Sequence, residues 1–180
     1  SMASFDRAGG WWSSEGVSRR ECTDAWRSVI SANYRAWELP DGLAADFTAR
    51  LRHRDLAGLR IVECRCGPCG GRRLGRQLAR DPEPFLGIQV IRDGAERLRM
   101  GDETLLASAG DLLIWSTLSA TEFEIPEHLS KATVMIPLTA LGDRLPPGRA
   151  FTACVLDART GIGAVLAAHV AQVLDAIHAA

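Results

Sequence analysis

FLGIQVIRDGAERLRMGDETLLASAGDLLIWSTLSATEFEIPEHLSKATVMIPL, residues 85–138, decides the fold. It divides into short apolar or alternating runs: FLGIQVIR, ERLRM, ETLLA, DLLIWS, TEFEIP and KATVMIPL. Turn residues separate them at Asp93-Gly94, Gly101-Asp102, Ala109-Gly110-Asp111, Leu118-Ser119-Ala120 and Glu127-His128. Glycine takes backbone angles closed to other residues, and Asp bonds its own backbone, so such pairs favour reversal over continuation. Short strands at this spacing predict a β-sandwich or a small barrel, and a barrel can hold a small molecule. Gly110-Asp111 is read as purely structural.

Before this block, Glu21–Glu38 predicts a helix, with Cys22, Ala25, Trp26, Val29, Ile30, Asn33, Tyr34 and Trp37 at three- and four-residue steps. Thr23-Asp24 offers a cap, and Pro40 with Gly42 closes the segment. A strand is expected over Phe47–Arg52, a turn at Gly58, a second strand over Leu59–Cys66 and a third over Arg72–Arg80. Asp81-Pro82-Glu83-Pro84 reads as a rigid turn. Residues 1–20 read as a mobile arm, except that Trp11-Trp12 should dock on the body or on a partner. After Leu138, Pro146-Pro147 end strand pairing and TALGDRL reads as a helical turn. Cys154–Asp157 is extended or loop. From Arg159 onward, Ile162, Leu166, Val170, Val173 and Ile177 repeat at helical steps among alanines, with no terminal cap. That helix reads as cut short, and Ser1-Met2 reads as a cloning remnant before Ala3.

The 180 residues are 47% hydrophobic and 24% charged, the balance of a globular chain. A net charge of −1 gives no overall electrostatic footprint for nucleic acid. No apolar run is expected to span a membrane, and the N-terminus lacks a signal pattern. Five cysteines, an odd number, suggest a reducing, cytoplasmic setting.

Several residues could carry chemistry. Cys64, Cys66 and Cys69 could gather thiolates for a metal or redox site; otherwise they are small buried residues. On a strand, Arg72 and Arg76 would share one face, and Arg73 and Gln77 the other. An inward Arg73 could fork onto a carboxylate effector; the alternative is a solvated salt-bridge face. Gln89, inside an apolar strand, either orients a ligand or bonds within the core. Trp115 is a cavity wall or plain packing.

Across Trp26 to Leu145 the chain resembles the effector-binding half of AraC-type transcription regulators. The residues that carry the likeness are Trp26, Tyr34, Phe47, RLRHRDLAGLRIVECRCGPC, Arg73, LARDPEPFLGIQVIRDGAERL, LLASAGDLLIWS and MIPLTALGDRLP. Ala109 departs from the family's usual proline, and Leu74 from its usual polar residue. The resemblance implies a mainly β, cupin-like barrel (a double-stranded β-helix) with an N-terminal helix and C-terminal helices. It implies an arm over 1–20, an effector-binding domain over 21–148 and a dimerising linker helix over 149–180. The helix-turn-helix units that read DNA would lie outside these residues. The expected partners are a small-molecule effector, bound through Arg73, Gln89 and Trp115, a second copy, and DNA only through that other domain. No cofactor and no membrane partner is expected. One rival is a metal-dependent cupin enzyme, but only His53, His128, His169 and His178 are present, with no His-x-His pair. The other is a thiol sensor built on Cys64, Cys66 and Cys69.

Overall fold

The computed structural model describes residues 10–79, 83–144 and 153–179. The turn expected at 81–84 falls partly outside them, as does the first half of the arm.

The expected strands form and close on one another. β1 (Trp12–Ser13), β2 (Ala49–Leu56), β3 (Leu59–Cys66) and β4 (Cys69–Arg73) precede β5 (Phe85–Met100) and β6 (Glu103–Ser108). β7 (Asp111–Ser116), β8 (Thr121–Ile125), β9 (Leu129–Pro137) and β10 (Cys154–Asp157) follow. One antiparallel sheet runs β1-β2-β3-β9-β5-β7-β10; β4 pairs with β8, and β5 also pairs with β6 and β8. β2 and β3 form a hairpin whose two turn residues, Ala57 and Gly58, both have positive φ, the twist such tight loops require.

β5 is where the sequence reading needs correcting. Asp93-Gly94 does not separate two strands. It is a bulge within one 16-residue strand, marked by a register shift against β9 between Ile91 and Asp93. Gly94 has φ +78, and a Cβ there would lie 1.9 Å from the His128 carbonyl oxygen, so no side chain fits. The bulge bends the strand. Its first half pairs with β7 and β9, and its second half with β6 and β8, so β5 passes from one wall of the barrel to the other.

The opening helix, α1 (Arg19–Tyr34), starts and stops earlier than expected. Arg35 ends it at φ 76. Trp37 then leaves the helix and enters the barrel, its indole donating to the Tyr34 carbonyl at 3.0 Å. Trp37 meets Phe123 edge-on at 5.1 Å and Trp115 at 6.2 Å. Helical periodicity was satisfied by Trp37 in sequence, but its ring is worth more in the core than on a helix flank. The strand expected over Arg72–Arg80 is also wrong. It stops at Arg73, and α2 (Gly75–Ala79) follows, its start fixed by the Gln77 side chain accepting from the Leu74 amide at 2.7 Å.

Within the arm, Trp12 is fully buried, stacked on Trp26 at 5.7 Å, while β1 pairs with β2. Trp11 lies beneath the Arg50 and Arg52 guanidinium groups. At the other end, α3 (Gly161–Ala179) lays Val170, Leu174 and Ile177 on Ile61, Ala132 and Val134 of the barrel wall. Its opposite side leaves Ile162 and Val165 more than half exposed. Contrary to the sequence expectation, α3 is long and apolar enough to cross a membrane by length and composition, because its many alanines add apolar character without bulk.

Candidate functional site

Alternation along the strands sends Gln89, Glu96, Leu98, Trp115 and Lys131 into the barrel, where α1 closes them over with Trp26, Ile30 and Tyr34. Polar groups here must find partners, and they do so among themselves. The Gln89 carbonyl oxygen accepts from Trp115 Nε1 at 2.8 Å and from Lys131 Nζ at 3.1 Å. The Gln89 amide nitrogen donates to Glu96 Oε2 at 2.7 Å. Lys131 completes the ring, its ammonium 3.3 Å from the Glu96 carboxylate and 4.8 Å above the Tyr34 ring. Gln89, Glu96 and Lys131 are each at least nine-tenths buried.

Gly87 makes room for this ring. It faces Trp115 across the β5–β7 ladder, and a Cβ there would lie 2.6 Å from the indole nitrogen.

Burial opposes the Lys131 charge, but the Glu96 carboxylate, and after it Cys64 and Cys66, outweigh burial and hold the amine above its ordinary pKa. The Tyr34 hydroxyl is pushed well above its ordinary value, first by burial and then by Cys64 and Glu96. At neutral pH the chamber therefore holds a protonated lysine and a neutral phenol. The space left between these groups is small, a cavity of about 30 Å³. That is room for a single water, not for an organic molecule. The open hollow implied by the barrel reading is thus mostly filled by aromatic side chains.

Of the three residues named from sequence, Gln89 and Trp115 line this cavity and touch each other. Arg73 does not line it. Arg73 points inward and is fully buried, but its Nη1 donates to the Ala36 carbonyl at 2.9 Å and its Nη2 to the Thr117 carbonyl at 3.1 Å. That fork ties the segment after α1 to the β7–β8 connection. Arg72, Arg76 and Gln77 all converge on Glu38 at the surface. Sequence reading missed Lys131, Glu96 and Tyr34. The signal was present: Lys131 shares its alternation phase with Leu129 and Met135, and Glu96 with Leu98, all of them buried.

The three clustered cysteines are free thiols. Among the described residues no three His, Cys, Asp or Glu side chains converge as a metal-ligand set.

Outside the barrel, on the same β3 strand, Glu63 gathers two guanidinium groups and an imidazole. Arg52 Nη2 lies at 3.1 Å, Arg92 Nη1 at 3.4 Å and His178 Nε2, from the last turn of α3, at 2.9 Å. Burial raises the Glu63 pKa, but the Arg52 hydrogen bond and the charges of Arg52 and Arg92 more than reverse it, leaving it below its ordinary value.

Comparison with solved structures finds one clear likeness of fold and weaker ones. The AraC-like transcriptional activator CuxR superposes with a TM-score of 0.63 at 17% identity, over 74% of this chain and 49% of that one. At that identity the likeness is one of fold, and the chain spans about half the length of the activator. The EutQ protein of Clostridium difficile gives a TM-score of 0.39 at 13% identity over 52% of this chain and 71% of its own. A Bacillus subtilis oxalate decarboxylase gives 0.36 at 15% over 49% of this chain and 25% of its own. No curated protein matches the chain. The mainly β, cupin-like barrel with helices at both ends, which the family resemblance implied, is the fold. A family model described as the AraC-binding-like domain matches residues 26–180, and the chain belongs to that family.

Proposed function

We propose that this chain is the effector-sensing and dimerising part of an AraC-type transcription regulator, without catalytic activity, acting in the cytoplasm. The observation that carries the reading is the Gln89–Glu96–Lys131–Trp115 ring enclosed in an otherwise apolar chamber. A barrel that only needed to be stable would do as well with apolar side chains there, since a buried ion pair adds little net stability. A small-molecule effector would exchange hydrogen bonds with Gln89 and Trp115. Because the cavity is so small, the effector must displace side chains, with Trp37, outside any regular element, the most readily moved. Lys131 already has its counter-charge, so a free carboxylate would add an unpaired charge to the chamber. Uncharged ring compounds suit it better. Arg73 would act from behind, holding the chamber's rim rather than the effector.

Ligand binding shifts a population only if it favours one arrangement of the chain over another. In this reading the arrangement concerns α3, whose outer side pairs with its twin through Ile162 and Val165. DNA would be bound by a separate domain beyond these residues.

A thermal-shift screen over small carboxylates, amines, neutral aromatics and sugars tests the reading. Mass action predicts a rise of several degrees for one class, lost in Gln89→Leu. No rise with any class at saturating concentration, on a protein that unfolds cooperatively, would reject it.

A further inference from the structure

Cys66 and Cys69 occupy the wall between the inside and the outside of the barrel. Cys66, the last residue of β3, is buried and lines the inner cavity with Cys64. Cys69, the first residue of β4, is partly exposed and lines an outer groove of about 750 Å³ with Pro40, Gly70 and Arg72. Only Gly67 and Pro68 separate them. The Gly67 amide donates to the Thr48 carbonyl at 2.9 Å, and the Pro68 ring fixes its own φ, so the link is short and held. The Cys66 thiol interacts with the thiols of both Cys64 and Cys69. Trp26, whose buried indole N–H has no hydrogen-bond partner, lines the inner cavity with Cys66.

We propose that Cys66 and Cys69 form a reversible, oxidant-responsive disulfide, with Cys69 reacting first from the outer groove and Cys66 resolving it from within. The oxidant is a hydroperoxide. The Cys69 thiolate attacks one peroxide oxygen; an S–O bond forms, the O–O bond breaks, and the leaving oxygen takes a proton and departs as water. The Cys66 thiol then attacks the Cys69 sulfenic sulfur; the S–S bond forms, the S–O bond breaks, and hydroxide leaves as water with the Cys66 proton. Two thiols and one hydrogen peroxide thus give one disulfide and two waters. The division of labour follows from surroundings. The Cys66 contact, the Trp26 indole and the Lys131 charge outweigh burial and lower the Cys69 pKa, whereas burial raises those of Cys22 and Cys154. Since the thiolate is the nucleophile, Cys69 is the most reactive of the three partly exposed thiols. The bridge would stiffen the wall beside Cys64, which pairs across the ladder with Lys131, so an oxidant outside would be felt in the chamber. The site does not depend on the effector reading.

The test is peroxide treatment of the fully reduced 180-residue protein, followed by alkylation of remaining thiols and mass spectrometry. The proposal expects a species about 2 Da lighter before alkylation, mapping to a Cys66–Cys69 bridge and reversed by dithiothreitol. Cys69 should be lost several-fold faster than Cys22 or Cys154. Cys66→Ser should stop at a sulfenic acid on Cys69, trapped by dimedone, and Cys69→Ser should give no bridge. Earlier oxidation of Cys22 or Cys154, or a bridge joining Cys64 or two chains, would overturn it. So would equal selectivity in urea, because sequence proximity alone would then explain the pairing. If either variant fails to fold by circular dichroism, the wild-type map and the urea comparison decide.

Discussion

The β3–β9 ladder has two faces with opposite demands. Its inner face presents Cys64, Cys66, Lys131 and Met135 to the barrel, where one ion pair is closed off from water. Its outer face presents Ile61, Glu63, Ala132 and Val134 to α3, where an apolar strip is finished by a partly wetted cluster of charges. Neighbours in sequence such as Glu63 and Cys64 therefore answer to different solvents. Inside, charge must be matched within the chamber or not carried at all. Outside, water screens what pairing leaves over. Because both faces hang on one set of backbone hydrogen bonds, a shift of the ladder in either direction is felt on both sides.

The contrast can be broken at its inner face. Lys131→Met strands the Glu96 carboxylate, and urea unfolding should show a loss of about 3–5 kcal/mol. Adding Glu96→Leu should recover most of it, whereas a double change that stayed as unstable would show that packing, not charge, governs the chamber. On the outer face, Leu174→Ala should cost about 3 kcal/mol by leaving a void under α3. Backbone amides of α3 should then exchange faster than those of β9. Gly87→Ala forces a methyl against Trp115, and about 2 kcal/mol is expected from thermal melts. Indole-region absorbance should change with it.

The smallest effect is expected at Glu63. Glu63→Gln should cost about 1 kcal/mol at neutral pH. The sign of its pH dependence follows from a folded pKa lying below the unfolded one. Its contribution is complete above the unfolded value near 4.5 and is lost as pH falls through the folded value. Stability curves of wild type and Glu63→Gln should therefore converge in acid and separate above pH 5. Parallel curves would mean that the carboxylate's charge is not what holds His178.

Sequence showed the strands plainly, because period-two burial and turn chemistry are local. Leu59–Cys66 and Asp111–Ser116 begin and end where their side-chain patterns do. What local pattern could not show was where competing demands meet. Asp93-Gly94 is as good a turn as a bulge, and only the His128 carbonyl pressing on Gly94 decides between them. Trp37 fits a helix by spacing and leaves it for the aromatic core. Arg73 was left open between an inward fork and a solvated face, because the carbonyls of Ala36 and Thr117 that hold it inward come from segments 37 and 44 residues away. Gln89 stood out because an amide in an apolar run is unusual. Lys131 and Glu96 did not, because each sits in a mixed run that could have faced water.

One consequence of the long β5 strand concerns how the barrel comes apart. Since residues 85–100 are stitched into both walls, neither wall can melt while the other stands, and the molecule should lose its tertiary order in a single step. Cleaving the peptide bond after Asp93 would sever that shared thread, turning one cooperative unit into two loosely joined halves.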